Sequence, residues 1–251
     1  MTPITGTEGR PAPVSRTPAR RAAPPAARRG QEAKLELMAG AVLVGVTAVG
    51  GLWFALRPAS GVFDRWLLDL VGASRSRWFI DVTNLHHPWV VVLGAVVAAA
   101  VTFPRDRPRS LACLLGPPLA LLVCELVVKP LVGRTLGGSL SYPSGSTAGA
   151  AALAVAAVLA TPARWRPFTA VIGAAYAVWM AVAVVALGWH YPTDALAGLA
   201  FGVGVVLVTD GASWTVFGRP DRVQGRPAGP STPPPSRSSP SSRLRTFLSS
   251  R

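Results

Sequence analysis

The chain has 251 residues, half of them hydrophobic and only 14% charged, a balance too apolar for an ordinary soluble domain. Its mean hydropathy of +0.40 still includes two polar ends, so the middle is more apolar than the average and a wholly disordered chain is excluded. A net charge of +14 and a pI near 11.6 would point to nucleic acid in a soluble protein, but Arg and Lys gather in flanks and short loops, where positive charge sets membrane topology instead.

Residues 1–34 hold seven Arg/Lys and two acids, in stretches such as PARRAAPPAARRG, with no apolar periodicity; they read as a disordered basic arm. Residues 35–217 read as a membrane domain of six apolar stretches, cut at charges and prolines: Leu35–Leu56, Pro88–Phe103, Leu111–Val128, Ser144–Thr161, Phe168–Gly188 and Ala195–Val208. Several approach the roughly 20 residues that cross a bilayer, and the long arm ahead of the first argues for a retained helix over a cleaved signal. The fourth stretch is Ala-rich and the third contains Pro117 and Pro118, so both are expected inside the bundle, away from lipid. Residues 218–251, rich in Pro, Ser and Arg, form a second disordered tail. The fold class is therefore all-α, a polytopic bundle of about six transmembrane helices with basic tails.

Topology follows from the loops. Arg105, Arg107 and Arg109 follow the second stretch, Arg164 and Arg166 the fourth, and both tails fall on that same side of a six-span arrangement. The positive-inside rule then puts both termini in the cytoplasm of a multi-pass plasma-membrane protein. The other loops face outward and hold all three His. One of them, GVFDRWLLDLVGAS, sets Phe63, Trp66, Leu67, Leu70 and Val71 on one helical face, with Asp64, Arg65 and Asp69 elsewhere: an amphipathic helix, either a lid on the helix ends or an interfacial anchor. Cys113 and Cys124, inside one apolar run, form neither a disulfide framework nor a metal cluster and read as packing residues.

Three polar clusters interrupt the spans on the outer side: Lys129-Pro-Leu-Val-Gly-Arg134, Tyr142-Pro-Ser-Gly-Ser-Thr147, and Gly188-Trp-His-Tyr-Pro-Thr-Asp194. The 44 positions from Ser146 to His190 suffice to cross inward, turn and cross back, so the clusters meet at one end. Ser144, Gly145 and Ser146 open a helix, where free N–H groups and the dipole favour an anion. Lys129 and Arg134 add positive charge, and Asp194 lies four positions after His190, placed to orient and support the imidazole. Singly, each has a structural explanation: a helix start, snorkelling cations, a polar cap, Trp189 and Tyr191 as interface anchors, Glu125 as the i,i+4 partner of Lys129. Together they point to a site for a phosphorylated head group.

These residues resemble the type 2 phosphatidic acid phosphatase family (PAP2), which shares its site with vanadium haloperoxidases. The family pattern is Lys, six residues, Arg-Pro; then Pro-Ser-Gly-His; then Ser-Arg, five residues, His, three residues, Asp. Lys129, Pro143-Ser144-Gly145, and His190 with Asp194 match it. The resemblance implies hydrolysis of a lipid phosphate or prenyl diphosphate at the outer face, without metal or other cofactor and without nucleic acid as partner. His190 would attack phosphorus and become a phosphohistidine, Asp194 would orient it, and Lys129 with the Ser144 and Gly145 amides would hold the phosphoryl oxygens. The chain departs where the pattern asks for Arg-Pro (Leu136-Gly137), Ser-Arg (Ala183-Val184) and the second motif's His (Ser146). Two arginines and a general acid are thus absent, with Arg134 displaced by two positions. A missing general acid harms an alkoxide leaving group far more than a phosphate, so the expected preference is for lipid diphosphates. His86 and His87 are alternative proton donors or helix-end caps. The other reading is an inactive relative that binds a phosphorylated lipid or a partner protein.

Overall fold

The computed structural model describes residues 25–57, 60–71, 77–85 and 87–218. The expected disordered tails fall, over residues 1–24 and 219–251, outside the described residues, as does His86. The first helix nevertheless begins earlier than the hydropathy profile places it. α1 runs Pro25–Leu56, so residues 25–34 are helical and not part of an arm. The local reason is legible: a Pro at the first helical position is followed by Ala, Arg, Gln, Glu and Lys, all strong helix formers.

Twelve further elements follow among the described residues, one of them a 3-10 turn at Ala163–Trp165. α2 (Val62–Val71) and α3 (Arg77–Asn84) are short and amphipathic; α4 spans Pro88–Thr102 and α5 Arg107–Val123. A π-helical turn, Cys124–Val128, leads into the short α6 (Lys129–Val132), then a two-residue hairpin, β1 (Thr135–Leu136) against β2 (Ser139–Leu140). α7 (Gly145–Ala160), α8 (Arg166–Ala186) and α9 (Pro192–Phe217) follow. The six expected spans thus appear as α1, α4, α5 with its π turn, α7, α8 and α9. Four helical stretches are by themselves long and apolar enough to cross a membrane: Arg28–Leu56, Arg107–Val132, Ala163–Ala186 and Pro192–Phe217. α4, with 15 residues, reaches that length only together with α3, from which it bends by 53°. α7 has 16 residues and is nearly all buried over its first half, as its Ala-rich sequence foretells.

The molecule is apolar outside as well as inside. α1 exposes Leu35, Met38, Val42, Val46, Val49 and Leu56 at three-, four- and seven-residue intervals, a stripe that suits lipid and would be penalised in water. Packing between helices therefore relies on small residues and close approach. α9 is the centre, in contact with α1, α5 and α7. Gly198 and Gly202 form a small-xxx-small face against α7, where a Cβ would overlap the Ser144 and Ala148 carbonyl oxygens; Gly204, on another face, meets the backbone of Gly40 in α1. Cys113 and Cys124 are free and buried in this core.

Ion pairs close the α1 end of the bundle. Arg29 of α1 and Arg109 of α5 both reach Asp210 of α9, at 2.8 and 3.2 Å, and both also pair with Glu36. No sequence pattern announces this cluster, because its members lie on three helices.

Candidate active site

At the opposite end of α9, the chain turns tightly to deliver His190. α8 closes on Leu187, and Gly188 takes the left-handed conformation (φ 70°) that ends helices without Cβ strain. The N–H groups of Trp189 and His190 turn back to the Val184 carbonyl, 3.0 and 3.3 Å away. Pro192 then starts α9. Asp194 sits in its first turn and accepts the Tyr191 N–H at 3.0 Å, half of a capping box.

His190 is 7% exposed and its Nδ1 lies 2.8 Å from the Ser141 carbonyl. A carbonyl only accepts, so Nδ1 carries the proton and the ring's lone pair is on Nε2, the nucleophilic tautomer. Ser141 is held in turn by Arg134: its N–H and its Oγ–H both donate to the Arg134 carbonyl, at 2.8 and 3.3 Å. An indirect chain also links Asp194 to His190. Asp194 binds the Arg134 guanidinium, the Tyr191 amide and the Ser141 hydroxyl; the Arg134 carbonyl holds Ser141; the Ser141 carbonyl holds the imidazole.

Arg134 does not take the phosphate-facing position expected of it. It is fully buried, and its guanidinium binds Asp64 at 2.6 Å, Thr193 at 2.9 Å and Asp194. The Phe54 and Tyr191 rings flank it, 3.8 and 4.2 Å from its Cζ. Gly133, left-handed at φ 66°, turns the chain after α6 and carries Arg134 inward beneath the site. Asp64, set by the sequence reading off the apolar face of α2, is that helix's buried polar residue; it also takes the Thr193 N–H and hydroxyl, at 3.0 and 2.8 Å. α2 is therefore docked on the helix ends, as the lid reading requires.

α7 opens on the same end. Ser144 is its N-cap, with a buried hydroxyl accepting the Thr147 N–H and its own N–H bound to the Asp194 carbonyl at 2.9 Å. Ser144 consequently shapes the helix start while Gly145 and Ser146 present it. A cavity of about 350 Å³ lies there, walled by Glu125, Lys129, Gly145, Ser146 and His190 and closed by Pro88, Leu121 and Trp189. Of the seven expected site residues, Lys129, Gly145, Ser146 and His190 meet in this cavity; Arg134, Ser144 and Asp194 stand behind it. Lys129 is paired with Glu125 at 2.7 Å. Tyr142 packs behind, its hydroxyl donating to the Thr47 carbonyl at 2.7 Å, and burial pushes its phenol up to about 12. Among the described residues, no group of three or more His, Cys, Asp or Glu gathers as a metal site.

Positive charge, the first turn of a helix and an imidazole with a defined tautomer can together bind a phosphoryl group and attack it. Residues 102–217 match the family model described as the PAP2 superfamily. No curated protein matches the chain. Among solved structures, the chain resembles a transmembrane PAP2-type phosphatidylglycerolphosphate phosphatase from Bacillus subtilis, with a TM-score of 0.56 and 20% identity over 72% of this chain and 98% of that one. At that identity the likeness is one of fold.

Proposed function

We propose, from the match of residues 102–217 to the PAP2 superfamily model, that the chain hydrolyses a lipid phosphate, with preference for a prenyl diphosphate, through a phosphohistidine on His190. The observation that carries this reading is the His190 Nδ1 contact with the Ser141 carbonyl, which sets the Nε2 lone pair in a ring that lines the same cavity as Lys129 and the α7 N-terminus. Nε2 attacks phosphorus while Lys129 and the Gly145 and Ser146 amides carry the charge that develops on the phosphoryl oxygens. A diphosphate suits the cavity because its departing phosphate is already a stable anion, whereas an alkoxide needs a proton that Ser146 is a poor source of.

We place the site on the extracytoplasmic face and both termini in the cytoplasm. In support, Arg107 and Arg166 begin α5 and α8 at the bundle end remote from His190, as the positive-inside rule asks. The test is phosphate release in lipid nanodiscs from a prenyl diphosphate and from phosphatidic acid, each beside His190→Ala. Release abolished by His190→Ala, and faster from the diphosphate, is the expected result. One observation favours a second reading, a non-catalytic binder of phosphorylated lipid: the only cation in the cavity wall, among the described residues, is Lys129, and it is already paired. That reading requires lipid binding that His190→Ala leaves intact and no release above the control.

A further inference from the structure

Glu125 is a carboxylate in the cavity wall for which the phosphohistidine reading has no task. Its role as counter-ion to Lys129 does not explain its placement. Its side chain is 41% exposed, and one of its carboxylate oxygens lies against Gly145, in the first turn of α7, so close that a Cβ there would overlap it. The π turn contributes: across Cys124–Val128 the backbone ladder shifts by one residue, with the Lys129 N–H reaching the Cys124 carbonyl. Insertions of this kind concentrate at functional sites. Here the shifted segment sets Glu125 and Lys129 together on the wall that faces His190.

Hydrolysis by a phosphohistidine has two halves, and the second needs a base to activate water. Among the described residues, the cavity's other polar groups do not qualify. His190 is itself phosphorylated in that step, Lys129 is a cation, and the Ser146 hydroxyl is a weak base. Asp194 and Asp64 are both committed to Arg134 behind the wall. Glu125 remains, its two carboxylate oxygens 2.7 and 2.9 Å from the Lys129 Nζ.

We propose that Glu125 is the general base of the second half-reaction. Its carboxylate takes a proton from the water whose oxygen attacks phosphorus. The P–N bond breaks, the electron pair returns to His190 Nε2, inorganic phosphate leaves, and Glu125 gives its proton to solvent. Glu125 has no task in the first half, which agrees with a leaving group that needs no proton. The inference rests on the phosphohistidine reading.

The experiment compares wild type, Glu125→Gln and His190→Ala in nanodiscs with a prenyl diphosphate labelled in its terminal phosphate, quenched in alkali, which preserves a P–N bond. Glu125→Gln is expected to release about one equivalent of prenyl monophosphate at the wild-type rate. It then turns over slower by roughly 10²- to 10⁴-fold, with labelled protein accumulating well above the wild-type level, and Glu125→Asp restores part of the turnover. His190→Ala takes no label. Equal or faster turnover in Glu125→Gln, without accumulation of label, overturns the assignment while leaving His190 in place. Loss of the initial burst in Glu125→Gln protein that elutes as wild type does also overturns it, by putting Glu125 in the first half. Absence of label and of His190-dependent release in the wild type sinks the phosphohistidine reading, and the base with it.

Discussion

Replacing Arg134 by Gln separates two roles that the sequence alone leaves merged. In a phosphate-binding role the side chain would face the cavity, and its loss would raise KM with little effect on stability. The structure instead has it fully buried between Asp64 and Asp194, whose side chains are 1% and 0% exposed. Removing the cation strands two desolvated carboxylates, and breaking such a buried pair costs about 3–5 kcal/mol. Asp64→Asn should cost less, about 1.5–3 kcal/mol, because Arg134 keeps Asp194 and Thr193 while losing one charge-assisted contact. The two residues share one network, so Asp64→Asn with Arg134→Gln should destabilise by less than the two single costs added, with a coupling of about 0.5–3 kcal/mol. Denaturation in detergent, followed by tryptophan fluorescence, measures all three. An unchanged denaturation midpoint in Arg134→Gln, together with a raised KM for phosphate ester, would refute the buried placement.

Two further outcomes follow from the same packing. Because the folded Tyr142 phenol is held at about 12 against an ordinary value near 10, its folded form binds the proton more tightly; the stability it contributes is complete below pH ~10 and falls as pH rises toward 12. Tyr142→Phe should remove that alkaline component and cost about 0.5–1.5 kcal/mol at neutral pH, read from denaturation midpoints between pH 7 and 11.5. Gly202→Val pushes a branched side chain into the Ala148 carbonyl of α7; loss of monodisperse protein on gel filtration is expected, while Gly45→Val, with nothing near its Cβ position, should behave as wild type.

The positions of the six helices were legible because apolar runs cut by charges and prolines are a one-dimensional signal. Lys129, Gly145, Ser146 and His190 were legible for a related reason: each stands beside a helix end, and helix ends on one side of a membrane meet. Arg134 was misplaced because its direction is set by a left-handed Gly133, and backbone handedness at one residue reverses where a side chain points. Asp64 and Ser141 were not singled out because their partners are distant in the chain. Ser141 acts through a main-chain carbonyl, which any residue supplies, so no pattern of side chains could have named it. The start of α1 was missed because hydropathy locates apolar spans, whereas residues 25–34 are helical through propensity and through the Arg29 pairs with Glu36 and Asp210.

α9 is gripped at both extremities by arginines from other parts of the chain: Arg134 on Asp194, and Arg29 with Arg109 on Asp210. Sixteen residues separate those two acids, about 24 Å of helix. A rod pinned at each end cannot slide along its axis or turn about it without breaking buried charge pairs at both. His190 hangs from the turn just before that rod, so its position is referenced to the far side of the bundle as much as to its own neighbours. Strain introduced at Arg29 or Asp210 should therefore register at His190, across the thickness of a membrane, with no hinge in between to absorb it.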